Sequence, residues 1–236
     1  MSQAIAILSA ARTPMGSMMG SLSAAPAPEL GAVAIRAAIE RAGLNTDQLD
    51  EVIMGCVLGA GLGQAPARQA ALAAGVSQAT ACSTVNKVCG SAMMSVMMAG
   101  NALRAGQSKV IVAGGMESMS RAPYLIPQGR QGYRFGSAEM LDHMQYDGLQ
   151  DAYQGVPMGN FAESCATKYD FSRELQDDYA IESLRRANAA IDQGLFDAEI
   201  APVTIKGRKG EAVVQIDEQP GNARPDKIPQ LRPAFQ

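Results

Sequence analysis

The sequence predicts an α/β fold with a largely parallel sheet, and three observations carry that expectation. Short apolar runs alternate with alanine-rich, helix-length segments from residue 4 to about residue 118. Glycine closes the helical segments, at Gly43 and at Gly75. The chain has 236 residues, 47% of them hydrophobic, which is enough to bury a sizeable core.

Residues 4–9 read as a buried first strand, ended by Arg12-Thr13-Pro14. Pro28-Glu29 opens an alanine-rich helix that stops at Gly43. Thr46 is placed to cap a short turn before a strand over Glu51 to Leu58. A loop with Gly59, Gly61 and Gly63 leads to a helix from about Pro66 to Ala74. A strand near Cys82 to Val88 runs directly into Cys89-Gly90-Ser91. Ala92 to Leu103 form a helix that is apolar on every side, with Ser95 and Asn101 as its clearly polar residues. A helix of that kind belongs inside a protein. Lys109 to Ala113 is the next strand, followed by Gly114-Gly115.

The alternation stops after about residue 118. Residues 119–160 read as a long irregular segment, and long ordered loops are usually functional. Ser172 caps an amphipathic helix running to about Gly194, with Leu175, Tyr179, Leu184, Ala187 and Ile191 on its apolar side. Ile200 to Lys206 and Glu211 to Ile216 read as a hairpin turning at Gly207-Arg208-Lys209-Gly210.

Composition removes several function classes. The formal net charge of −3 points to neither nucleic acid nor an anionic membrane. No apolar run reaches the 18 or so residues that a spanning helix needs. The four cysteines, at 56, 82, 89 and 165, fit neither paired metal ligands nor a secreted disulfide scaffold. No metal is expected. Reduced thiols and a cytoplasmic location are the simplest expectation.

Cys89 stands where a strand turns into an apolar helix. Free N–H groups and the positive end of that helix suit a nucleophilic thiolate, which attacks thioesters well. Gly90 and Ser91 leave room for a substrate carbonyl. An isolated cysteine is nevertheless more often a small buried hydrophobe, and position alone leaves both readings open. Cys56, in an apolar run, reads as core, and Cys82 and Cys165 carry no chemical signal. His143 is the single histidine, in Met140-Leu141-Asp142-His143-Met144, and reads as structural or surface.

Six segments, in order along the chain, resemble those of the thiolase family. They are Ala11-Arg12-Thr13-Pro14 with Gly20-Ser21-Leu22; Gly63-Gln64-Ala65-Pro66-Ala67-Arg68; Asn86-Lys87-Val88-Cys89-Gly90-Ser91; Gly114-Gly115-Met116-Glu117-Ser118-Met119-Ser120; Pro157-Met158-Gly159 with Ala162-Glu163; and Leu231-Arg232-Pro233-Ala234-Phe235. The resemblance implies a layered thiolase-like fold. Residues 1–118 would form the amino-terminal domain, with a parallel or mixed sheet and a buried nucleophile helix. Residues 119–236 would form an inserted α+β loop domain for coenzyme A (CoA) binding and oligomerisation.

The implied activity is acyl-CoA C-acyltransfer of the acetyl-CoA acetyltransferase type. Cys89 takes an acyl group, and a second acyl-CoA attacks it to form a 3-ketoacyl-CoA. The family assigns Met158 to the acyl pocket and Leu149 to the pantetheine arm, and aligns Arg224 and Phe235 with CoA contacts. Arg130, Arg134, Lys206, Arg208 and Lys209 are further cations available to phosphate. CoA thioesters enter as substrates, with no separate cofactor.

The sequence departs from the family in two ways. Ala92, Met93 and Pro157 stand where other residues are common. The family's catalytic histidine, second cysteine and Asn-Glu-Ala-Phe segment do not occur. The expected partners are therefore acyl-CoA, CoA and a complementary carboxy-terminal piece that supplies the histidine and cysteine. A homo-oligomer of the dimer-of-dimers kind is also expected. The competing reading is a non-catalytic CoA-binding or regulatory subunit of the same fold.

Overall fold

The structure, a computed structural model, describes residues 4–207 and 210–235. A parallel three-stranded sheet lies at its centre. Strands β1 (Glu51–Gly55), β2 (Ala81–Val85) and β3 (Ile111–Gly115) run in the order β2-β1-β3. The register pairs Glu51 with Ala81 and Ile111, and Gly55 with Val85 and Gly115, so the carboxyl ends of all three strands finish level.

Helices α1 (Ala27–Arg41) and α2 (Pro66–Ala73) pack together on one face of the sheet, and α3 (Ser91–Arg104) packs against β1 and β3. The packing follows from side-chain size. Ala67, Ala70 and Ala71 of α2 are fully buried, and so small a surface lets α1 and β1 close in. Ile35, Ile39, Val52 and Met54 fill the space, each worth roughly 1.5–3 kcal/mol of burial. Prolines sit in the first turns of α1 and α2, where the helix needs no N–H from them. Gly43 and Gly75 take the left-handed conformations, with φ of +65° and +90°, that end these helices.

Four expectations need correction. Residues 4–9 form no strand, pair with none among the described residues and are mostly exposed. No neighbouring strand lies beside them; Ser9 Oγ donates to the Ala38 carbonyl at 2.6 Å instead. Asn45, rather than Thr46, precedes the short 3-10 turn Thr46–Gln48, and its N–H donates to Gln48 Oε1 at 2.7 Å. The third correction concerns α3, which is only half buried: Ser91, Ser95 and Ala99 face the sheet, while Met93 is 67% exposed and Met97 57%. The sheet covers one side of the helix, and no other described element covers the opposite side. The fourth is the expected strand to Val88, which stops at Val85.

The segment after β3 is less irregular than expected. A two-residue ladder joins β4 (Tyr124–Leu125) to β5 (Leu141–Asp142), and a π-helical turn spans Met144–Leu149. Helix α4 (Met158–Lys168) follows, then α5 (Arg173–Asp192), where Ser172 Oγ accepts the Leu175 N–H at 3.3 Å as the cap requires. The expected apolar face of α5 is buried only towards its end. Ala190 is buried, whereas Leu175 and Tyr179 are exposed. Strands β6 (Val203–Gly207) and β7 (Gly210–Val214) form the expected hairpin, whose turn residues Arg208 and Lys209 lie outside the described residues. A short helix α6 (Glu218–Asn222) and a 3-10 segment, Pro225–Gln230, complete the order. No helix among the described residues is long and apolar enough to cross a membrane.

The two ends of the sequence meet at Arg12. Its guanidinium donates to Asp217 at 2.7 and 2.9 Å and to Glu199 at 2.5 Å, and it lies 5.0 Å from the centre of the Phe196 ring. Burial works against the charge on Asp217. Hydrogen bonds from Arg12 and from the Met15 N–H outweigh it and hold the carboxyl below its ordinary value.

Candidate active site

Cys89 occupies an elbow between β2 and α3, at the carboxyl edge of the parallel sheet, where α/β folds place ligands. Its thiol is free and exposed. Two glycines allow the helix to start there. A Cβ on Gly55 would stand 2.6 Å from the Ser91 carbonyl carbon, and one on Gly115 would stand 2.7 Å from Ala92 Cβ. The first turn of α3 therefore rests directly on the ends of β1 and β3.

The elbow itself is strained. Val88, the residue before Cys89, has φ of +47°, a conformation that β-branched residues rarely take. Hydrogen bonds hold it there. Asn86 Oδ1 accepts the Val88 N–H at 2.9 Å. Ser91 Oγ accepts the Lys87 N–H at 2.8 Å and donates to the Val88 carbonyl at 2.6 Å. Gly90 N–H donates to Lys87 O and Ser91 N–H to Val88 O, at 3.1 and 3.0 Å. The sequence reading missed these roles of Asn86 and Ser91. An Asn two residues ahead of the strained position is the usual sign of such a turn and is visible in the sequence.

Three of the candidate contact residues come together. Leu149 ends the π-helical turn, and the next residue, Gln150, pairs with Pro157, which precedes Met158. Met158 opens α4, and the Phe235 ring lies against the next residue, Gly159, so closely that any side chain there would collide with it. Leu149, Met158 and Phe235 are all partly exposed around this junction. Arg224 is the residue preceding the 3-10 segment, with its side chain exposed and in no ion pair among the described residues. Arg130 and Arg134 are also exposed. Lys206 is paired with Glu211 at 3.5 Å.

The other sulfur atoms are placed differently. Burial pushes the Cys56 thiol up to about 12, and the adjacent Glu117 carboxylate adds to the effect. Glu117 accepts the N–H groups of Val57 and Leu58, at 2.7 and 3.2 Å. Cys56 is thus core, as expected. Cys82 is also raised, chiefly by burial and against the pull of Arg68. No cluster of His, Cys, Asp and Glu that could hold a metal ion occurs among the described residues. Two open clefts of about 400 and 370 Å³ exist, one around Glu29 and Arg121 and one around Arg12 and Phe196. Neither is lined by Cys89, Leu149, Met158, Arg224 or Phe235.

The chain is similar to known proteins along its length and in its fold. The family described as "Thiolase, N-terminal domain" matches residues 5–236. An acetyl-CoA acetyltransferase of Saccharomyces cerevisiae is 48% identical over 240 residues, covering 100% of this chain and 60% of the yeast protein. Acetyl-CoA acetyltransferase A, mitochondrial, of Xenopus laevis is 50% identical over 233 residues, covering 98% of this chain and 55% of its own length. The crystal structure of Acat5 thiolase from Ascaris suum in complex with coenzyme A superposes with a TM-score of 0.91 at 41% identity, covering 98% of this chain and 58% of that one. The chain thus spans a little over half the length of the relatives it matches. A match along residues 5–236 and a shared parallel-sheet fold lead to one conclusion: the chain belongs to the thiolase family.

Proposed function

We propose that the protein is an acyl-CoA C-acyltransferase of the acetyl-CoA acetyltransferase type, working through an acyl-Cys89 intermediate. The exposed Cys89 thiol, held out by a strained elbow at the sheet's carboxyl edge, carries this reading. Cys89 Sγ attacks the carbonyl carbon of one acyl-CoA. The Sγ–C bond forms, the bond to the CoA sulfur breaks, and CoA leaves as a thiolate that takes up a proton. A second acyl-CoA then loses a proton from its α-carbon. That carbon attacks the acyl group, which releases Cys89 and forms a 3-ketoacyl-CoA. The developing oxyanion needs hydrogen-bond donors other than the N–H groups of Lys87, Val88, Gly90 and Ser91, which the elbow itself engages.

Leu149, Met158 and Phe235 are the proposed contacts for the pantetheine and acyl portions, with Arg224 proposed for the CoA phosphates. The junction they share on the 119–236 loop segment supports it as the CoA-binding unit, distinct from a nucleophile unit at 1–118. The protons need another donor and acceptor. His143, the single histidine, is buried and committed to Asp147 and Ala60. The histidine and cysteine for proton transfer are therefore assigned to a complementary carboxy-terminal piece. Further proposals are a homo-oligomeric assembly and a reducing compartment such as the cytoplasm, the latter supported by four free thiols.

The test is acylation. The chain is incubated with radiolabelled acetyl-CoA and the peptides are mapped. Label is expected on Cys89 and absent from Cys89→Ser. Label on another residue overturns the assignment. CoA binding without any label supports a non-catalytic CoA-binding subunit instead. Sustained release of CoA by the chain alone, without a carboxy-terminal thiolase piece, removes the need for that partner.

A further inference from the structure

We infer that His143 is a positioning residue for the CoA arm: its neutral imidazole ties the turn carrying Leu149 to the glycine-rich loop at Ala60, and protonation of Nε2 releases that tie. The inference rests on the proposed role of Leu149. His143 is 6% exposed and directly precedes the π-helical turn Met144–Leu149. Its Nδ1 lies 2.5 Å from Asp147 Oδ2, and the Ala60 N–H points at its Nε2 at 3.3 Å. A backbone amide can only donate. Nε2 must then hold a lone pair, and the ring proton sits on Nδ1, donated to Asp147. The ring therefore bridges two segments 83 residues apart in sequence.

The surrounding contacts make this tie specific to the turn. The backbone N–H of His143 donates to the Pro123 carbonyl at 3.2 Å, which anchors the ring's own position. Leu58 Cδ2 lies 3.3 Å from where a Cβ on Gly148 would stand, so the turn rests on the 58–60 loop one residue before Leu149. The charged groups nearby are already engaged. Asp147 faces Nδ1, Asp142 accepts the Met144 N–H at 2.9 Å, and Glu117 on the facing loop accepts Val57 and Leu58 N–H groups. An Nε2 proton would set two donors against each other, His143 Nε2–H and Ala60 N–H, in a buried place. The bond is lost, the loop and turn separate, and Leu149 loses its support.

Having a single histidine makes the test direct. Nitrogen and carbon NMR of the imidazole in the whole chain reads its tautomer and titration. Amide exchange reads Ala60, and calorimetry reads CoA affinity from pH 8 to pH 5.5. The Nδ1–H tautomer is expected at pH 8. Where the imidazole carries its second proton, Ala60 exchange should quicken and the CoA dissociation constant should rise about tenfold. His143→Gln, whose Oε1 accepts from Ala60 at any pH, should bind CoA without that slope, and its circular dichroism should match the parent. A merely structural residue would leave CoA affinity independent of imidazole charge. Intact CoA binding with no slope, or a slope that persists in His143→Gln, overturns the inference alone. No CoA binding at pH 8 overturns it together with the proposed CoA contacts.

Discussion

Val88 is the residue at which backbone strain meets the proposed nucleophile. Left-handed backbone costs a β-branched residue about 1–2 kcal/mol, and the Val88 side chain is 50% exposed, so packing returns little of it. Val88→Gly is accordingly expected to change stability by less than about 1 kcal/mol in a denaturant titration, because relief of the strain offsets the added freedom of the unfolded chain. The same change should slow Cys89 acylation, because a flexible elbow no longer aims the sulfur. A larger destabilisation by Val88→Gly would mean that strain is not stored there. The sequence exposed only half of this. The flanking motif singles out Cys89, but a valine after Val85 reads as more strand, and only hydrogen bonds to Asn86 and Ser91 overrule that propensity. His143 reads as structural or surface in the sequence, and its burial and its bond to Ala60 are not visible there, because Ala60, its partner in the facing loop, is remote in sequence.

At the level of elements, the contact of α3 with two strand ends determines where Cys89 can stand. Gly55→Ala puts a methyl group within 2.7 Å of α3 backbone and is expected to cost about 1–3 kcal/mol while displacing Cys89. Gly59→Ala is the control, since nothing lies within 4 Å of its Cβ. Thermal melts and acylation rates of both variants decide the matter: equal behaviour would show that α3 can shift without consequence. The helices α1 and α2 were legible almost to the residue, because proline starts and glycine stops act locally. The segment 4–9 was not, since an apolar run states a preference for burial and says nothing of whether a partner strand lies beside it. Helix α5 shows the same limit. Its periodic apolar positions were right, yet Leu175 and Tyr179 face solvent.

Across the whole molecule, the Arg12–Asp217 pair fastens the first segment to the last third of the chain, 205 residues on. The Asp217 side chain is 5% exposed, and removing its partner leaves a buried charge. Arg12→Ala is expected to cost about 3 kcal/mol. The pair also sets an acid limit. Asp217 titrates lower when folded than when unfolded, so its contribution is complete at neutral pH, above the unfolded value of about 4, and disappears as pH falls through the lower folded value. Unfolding midpoints measured from pH 7 to pH 3 should fall less steeply for Asp217→Asn than for the parent, and an identical slope would remove Asp217 from the account. Nothing local in the sequence announces this pair. Its partners are joined by the fold alone, and the α/β reading supplied the sheet without saying what would hold its flanking segments.

The uncovered side of α3 has a consequence of another kind. Met93, Val96 and Met97 form an apolar stripe in open water. Cellular chaperones and proteases read such stripes as the mark of an unfinished protein. By that rule the α3 stripe is the part of the described surface on which such systems would act.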